Sequence, residues 1–231
     1  MTAMIELTHS QRLRLKLNLA LPELGIAGAG IHNHPRLREV LPRYLFTTHC
    51  MIRASVPLMR VAAERSRELA GTDPVGQTIE RYFTKHIREE MHHDDWLLED
   101  LAVLGYDPVE LVKQPPSAAV AAMVGSQYYW INHYHPVALF GYIAVMEGYP
   151  PTEQQVDDLV ARTGFPKAAF RTMLRHAKLD PGHRDDLDRA LDSLPLTPEQ
   201  VSVVGVSALQ TVHLGSQAVR EVVEQFDQAA A

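Results

Sequence analysis

Apolar residues recur at three- and four-residue spacing almost everywhere along the chain, and no stretch of strict alternation bounded by hairpin turns interrupts them. That pattern predicts an all-α protein. After a leader over residues 1–34 that is expected to be loose, Pro35 opens a long helix reaching about Leu69. Asp73 as N-cap, with Pro74 at the first helical position, opens a second helix that runs to Gly105. A third covers roughly Ser117 to Glu147 and bends near His135-Pro136, because proline lacks a backbone donor and crowds the preceding turn. Shorter helices start at Thr152 and Thr197, the latter in "TPEQ", where Gln200 can close a capping box, and the last helix ends near Phe226. No repeat, low-complexity tract or linker is visible, so the expected layout is a single domain over 1–231, a compact bundle of about seven helices.

Composition narrows the chemistry. The chain has 231 residues, 46% of them hydrophobic and 22% charged, enough to bury a large core. No run of about 18 uncharged apolar residues could span a membrane, and the N-terminal stretch is too charged for a signal peptide, so a cytoplasmic protein is expected. A net charge of −6 without a basic stripe offers nucleic acid no footprint and points to small-molecule chemistry. Cys50, the single cysteine, excludes an internal disulfide and a thiolate metal cluster. It lies in "TTHCMIRASVPLM", on what reads as the apolar side of a helix, where a free cysteine behaves as a small hydrophobe. A bound metal would need nitrogen and oxygen ligands, and the 12 histidines supply candidates.

Two segments repeat one spacing: His86, Glu90 and His93 in "HIREEMHH", and His176, Asp180 and His183 in "HAKLDPGH". At about 100° per residue, positions i, i+4 and i+7 fall within roughly 60° of one another, so each trio shares a helix face. Faces of this kind, turned toward each other inside a bundle, bring imidazoles and carboxylates together as in carboxylate-bridged di-iron sites, and Glu90-Met91-His92-His93 contains the Glu-x-x-His motif. Glu147 in "FGYIAVMEGYPP" is the further carboxylate, readable either as a solvated helix terminus or as a buried ligand. His92 and Asp94 point elsewhere, while His32, His34, His133 and His135 read as satisfied polar or pocket-lining groups. Pro181-Gly182 predicts a kink at Asp180, or a new helix capped by it, leaving 176–190 soft and one metal position weakly held. Glu90 and His93, by contrast, are expected on an unbroken helix.

The segments "HIREEMHHDDWLLEDLAVLG", "YYWINHYHPVALFGYIAVMEG" and "HAKLDPGHRDDLDRAL" together resemble the iron-containing redox enzymes of the haem-oxygenase-like di-iron oxidase family, over about residues 35–225. The resemblance implies a seven-helix haem-oxygenase-like bundle holding two Fe(II) ions rather than haem. Its ligands would be Glu90, His93, Glu147, His176, Asp180 and His183. Spacing varies among relatives, which keeps His86 as an alternative to His93, and Glu64 is the position for an extra carboxylate. The implied activity is oxidation of a small-molecule substrate by dioxygen, with an amino acid or other carboxylate as substrate, through N-oxygenation, desaturation or carbon–carbon cleavage. A homodimer is expected. Tyr128, Tyr129, Trp130, Phe140 and Tyr142 are candidate pocket residues, and Arg53 and Arg60 candidate carboxylate anchors. Three rivals keep the fold: a thiaminase-like hydrolase, which needs a nucleophilic cysteine in the later half; a cofactor-free oxidase, which leaves Glu90 and Asp180 without a role; and a non-catalytic iron or haem binder.

Overall fold

The structure is a computed structural model that describes residues 7–230. These residues build an all-helical bundle, with no strand among them. Helix α1 spans His9–His32 and carries a capping box, in which the Thr8 hydroxyl accepts from the Gln11 N–H while the Gln11 side chain accepts from Thr8. The leader expected to be loose is therefore helical over this span; residues 1–6 lie outside the described residues. Leu13, Leu17, Ala27 and Ile31 recur at helical spacing and bury. Pro22 is tolerated because it sits on the solvent side, where water can serve the carbonyl its missing N–H leaves open.

The long helices expected from sequence are each divided, which gives more helices than the seven anticipated. The first is split into α2 (Leu37–Ile52) and α3 (Ser55–Leu69). Pro57 explains the break, since it cannot donate to the Arg53 carbonyl and its ring crowds that turn. The second is split into α4 (Gly76–Glu90) and α5 (His93–Val103), with His92 between them at φ 71°, a left-handed conformation that is unusual for a residue with a Cβ. Glu90 and His93 thus flank a break rather than sharing a continuous helix. Gly105, also left-handed, stops the chain where expected.

A four-residue helix α6 (Pro108–Leu111) leads to α7 (Ala118–His133), which Ser117 caps. The bend at His135-Pro136 is a 3-10 turn that leads into α8 (Leu139–Met146). Thr152 caps α9 (Glu153–Thr163), and Thr197 with Gln200 caps α11 (Pro198–Ala230) as the sequence predicts. Between them α10 (Arg171–Ser193) is one helix that includes Pro181, so no new helix begins at Asp180. Pro181 and Gly182 lie on the exposed side of α10, while Asp180, His183, Leu187 and Leu191 are buried.

Helix α11 is the central strut and packs on α1, α2, α7 and α8. Gly141 allows the approach of α8, since a Cβ there would lie 2.2 Å from the Val204 carbonyl oxygen. The apolar core forms two clusters, one around Leu58, Phe83, Phe140 and Val204, the other around Leu41, Leu97, Leu159 and Phe170. Among the described residues no helix is long and apolar enough to cross a membrane.

Candidate metal centre

Three elements deliver four polar side chains to one buried spot. The last turn of α4 presents His86 and Glu90 on one face, Glu147 caps the C-terminus of α8, and α10 presents His183. Each offers a ligand atom, and these four atoms lie within 4.8 Å of one another. Glu90, His93 at the start of α5 and His176 on α10 form a second set that meets the same limit. Glu90 belongs to both sets. Its two oxygens split between them, with Oε1 lying 3.3 Å from His183 Nδ1 and Oε2 3.0 Å from His93 Nδ1.

Asp180 is 2% exposed and borders the first set, its Oδ1 3.7 Å from His183 Nδ1. Of the six residues implied by the resemblance, five fall within the two sets and Asp180 stands beside one of them. His86 joins as well as His93 rather than instead of it, its Nε2 2.9 Å from the Glu147 carboxylate. The i, i+4 relation of His86 to Glu90 carried that information in the sequence, but the break at His92, which lets His93 turn to a different set, did not show there. Glu147 is both a helix terminus and buried, so the two readings of it are compatible. Glu64 is exposed on α3 and outside both sets.

The imidazoles are oriented by their other nitrogen or by a stacked ring. His176 Nδ1–H donates to the Thr172 carbonyl at 2.9 Å, which leaves Nε2 as its free lone pair. His86 faces carboxylates on both sides, with Glu89 3.2 Å from Nδ1 and Glu147 at Nε2. Trp96 stacks on His93 with centroids 3.9 Å apart, and the Arg175 guanidinium lies over the indole, 4.3 Å from its centroid. Tyr82 stacks on His86.

Charge is crowded here. Burial by itself pushes the His86 pKa down, but the charge and hydrogen bond of Glu147, with help from Glu90 and Glu89, outweigh it and bring the value to about 9. Asp180 is pushed up to about 8, first by burial and then by repulsion from Glu147 and Glu90. Burial would raise Glu90 too, yet His93, His86 and His183 together hold it below the usual carboxylate range. His176 is lowered by burial.

Buried polar atoms are almost always hydrogen-bonded. Here Glu90 Oε1, His93 Nδ1, Glu147 Oε2, Asp180 Oδ1 and His183 Nδ1 are buried without a hydrogen-bond partner, although they approach one another closely. Lone pairs that converge without bonding each other suit a cation between them. Nitrogen and carboxylate donors without a thiolate suit iron, and a carboxylate common to two sets suits a pair of ions. The residues therefore fit a two-iron centre.

A cavity of about 720 Å³ adjoins the cluster, which contributes Glu90, Glu147, His176 and Asp180 to its wall. It lies between the two apolar clusters, bordered by Leu21 and Leu24 from one and by Leu41, Leu45, Leu97 and Leu159 from the other. None of the five aromatic residues suggested by the sequence lines it: Phe140 and Tyr142 are core, and Tyr129 is exposed. Arg53 and Arg60 do not line it either, and no lysine or arginine does. Cys50 is buried outside it, and burial raises its thiol pKa. Of the remaining histidines, His32 borders the cavity, His34 bonds Asp227 and His135 bonds Asp73.

A family model described as iron-containing redox enzyme matches residues 54–215. No curated protein matches the chain. Among solved structures, the chain is similar to a domain of unknown function with a heme oxygenase-like fold from Shewanella denitrificans, with a TM-score of 0.76 at 16% identity over 96% of this chain and 93% of that one. It is also similar to a TenA homolog from Pseudomonas syringae pv. tomato, with a TM-score of 0.64 at 11% identity over 90% of this chain and 93% of that one. These likenesses establish a haem-oxygenase-like fold.

Proposed function

The chain belongs to the iron-containing redox enzyme family, and from that premise we propose that it is a non-haem di-iron oxidase or oxygenase that uses dioxygen to oxidise a small organic molecule held in the adjoining cavity. The observation that carries this reading is that Glu90 is shared by two sets of buried donors. Glu90, His93 and His176 would hold one ion; His86, Glu90, Glu147 and His183, with Asp180 beside them, would hold the other. Two ferrous ions supply the electrons and open positions for dioxygen chemistry.

The protein's own part is positioning. The Thr172 carbonyl fixes the His176 tautomer, and the stacked rings of Trp96 and Tyr82 hold the planes of His93 and His86. His86 must release its Nε2 proton to become a ligand, so loading that set liberates a proton. Leucines on the cavity wall offer apolar surface to the substrate beside the reacting groups. With no lysine or arginine lining the cavity, an acidic group on the substrate would be met by the metal rather than by a side chain.

The fold shared with a TenA homolog raises a metal-free hydrolase as a second reading. Cys50 argues against it, being buried on α2 away from the cavity, and that reading leaves the unpartnered carboxylates and imidazoles unexplained. Anaerobic loading with ferrous iron, metal analysis and then exposure to oxygen tests the proposal. It predicts uptake of iron and consumption of dioxygen by the loaded protein. A protein that takes up no iron, or whose ferrous form leaves dioxygen untouched, would contradict it.

A further inference from the structure

The part of α1 that borders the cavity is built from Leu21, Leu24, Gly25, Gly28, Ala29, Ile31 and His32, mostly at the three- and four-residue spacing of one helix face. Larger side chains stand at both ends of this face, and between them its middle carries two glycines and the single methyl of Ala29. Glycine is the poorest helix former after proline, and nothing in the packing asks for it here: a Cβ added to Gly25 or Gly28 would meet no atom within 4 Å. Gly141 on α8 is the contrast, because there a Cβ would strike the backbone of α11. What the two α1 glycines preserve is open space in the cavity wall.

A second feature of the same cavity points to a ligand. Thr172 lines it, is 3% exposed, and its hydroxyl has no hydrogen-bond partner, although its backbone N–H bonds Asp100 and its carbonyl takes His176. A buried hydroxyl without a partner is costly unless something that enters the cavity completes it. The rest of the wall combines leucine, isoleucine and methionine with the polar side chains of Asn33, Tyr44, Thr48, Ser55, Tyr149 and Gln155, but Thr172 alone of its described residues has a buried hydroxyl without a partner, and among them Asp158 is the only charged side chain outside the metal cluster and the histidines.

We propose that the cavity takes an elongated, mostly apolar substrate with one hydrogen-bonding head group, that Thr172 binds this head group beside His176, and that the bare Gly25–Gly28 face of α1 sets how long or bulky the apolar body can be. A second anionic group on the body has no cationic partner and is rejected, with Asp158 adding repulsion. The proposal rests on the oxidase reading for what happens to the substrate, but not for how it binds.

The test is calorimetric titration of the iron-loaded protein, kept anaerobic, with straight-chain alcohols, amines and dicarboxylates of increasing length. Wild type is expected to bind the alcohols and amines more tightly as the chain lengthens and to bind dicarboxylates least. Gly28→Leu and Gly25→Leu are expected to weaken the long members by on the order of tenfold while changing the short ones by less than about twofold. Gly30→Ala, on an exposed position of α1 outside the cavity wall, controls for stiffening of the helix and should bind like wild type. Thr172→Val, which keeps the shape and the backbone carbonyl, is expected to weaken every length alike by roughly tenfold. Equal losses for short and long members in the leucine variants, an affinity that ignores chain length in wild type, or preferred binding of dicarboxylates would overturn the proposal. Iron content measured on the same samples separates the two readings, since a wild type without iron defeats the oxidase assignment while the length series still judges the cavity.

Discussion

His86 is the residue whose surroundings make the sharpest statement about pH. Carboxylates sit at both of its ring nitrogens, and its pKa is raised from 6.5 to about 9. Below about 6.5 the folded and unfolded chains both hold the proton and its stabilisation is fully present; it is lost as pH rises through about 9, a loss on the order of 3 kcal/mol. Asp180 acts in the same direction: raised from 3.8 to about 8, it stays neutral in the fold while the unfolded chain ionises, so its burial becomes a growing penalty across that window. Glu90 is lowered and contributes stability that is lost only as pH falls below the ordinary carboxylate range. Burial lowers His176, His49 and His135, which favours the fold as pH rises toward 6.5, so the metal-free protein should melt at progressively lower temperature between about pH 6.5 and pH 9, whereas iron uptake, which displaces protons, should strengthen with pH over the same range. Thermal unfolding with and without iron checks this. A metal-free protein that gains stability toward pH 9 would contradict the assignment of charges around His86.

At the scale of elements, the breaks that matter are set by packing as much as by local sequence. Pro57 was visible in the sequence, and the physics of a missing donor accounts for the α2–α3 break. Pro181 is equally visible, yet α10 runs through it, because the inward face of Asp180, His183, Leu187 and Leu191 gains more from one continuous helix than the proline costs on the solvent side. The break at His92 has no glycine or proline to announce it. There the chain takes a left-handed turn that lets Glu90 end α4 and His93 begin α5, each directed at the metal cluster. Strain of about 1 kcal/mol or more is expected at a left-handed residue with a Cβ. His92→Gly should therefore raise the melting temperature by about 2–4 °C, since glycine adopts this φ freely and the exposed His92–Asp95 pair it removes contributes little. Iron uptake should be unchanged. A lower melting temperature would show that the turn is not strained. The caps at Thr152 and Thr197 were readable because a capping box is a local arrangement, while the helix over His9–His32, expected to be a loose leader, is held by packing on α11, α10 and α2 that no local pattern shows.

Across the whole molecule, the helical class and most of the side chains that gather in the buried cluster were legible in the sequence, but not how those side chains are divided. Two trios at identical spacing suggest two equivalent faces, and the fold instead deals their members into unequal sets: His86 joins Glu147 and His183, while His93 joins His176. That partition depends on where α4, α8 and α10 cross, which no local pattern encodes. The cavity is likewise a product of assembly, lying between two apolar clusters and walled by residues from distant parts of the chain, so the aromatic run on α7 and α8 that looked like a pocket became core or surface instead. The central claim is that one carboxylate, Glu90, joins two metal positions, and metal analysis of three proteins loaded anaerobically with ferrous iron tests it most directly. Wild type should bind close to two irons per chain, His176→Ala should keep about one, and Glu90→Ala should keep almost none while retaining its helicity. A Glu90→Ala protein that binds as much iron as wild type, or loses no more than His176→Ala does, would contradict the shared centre.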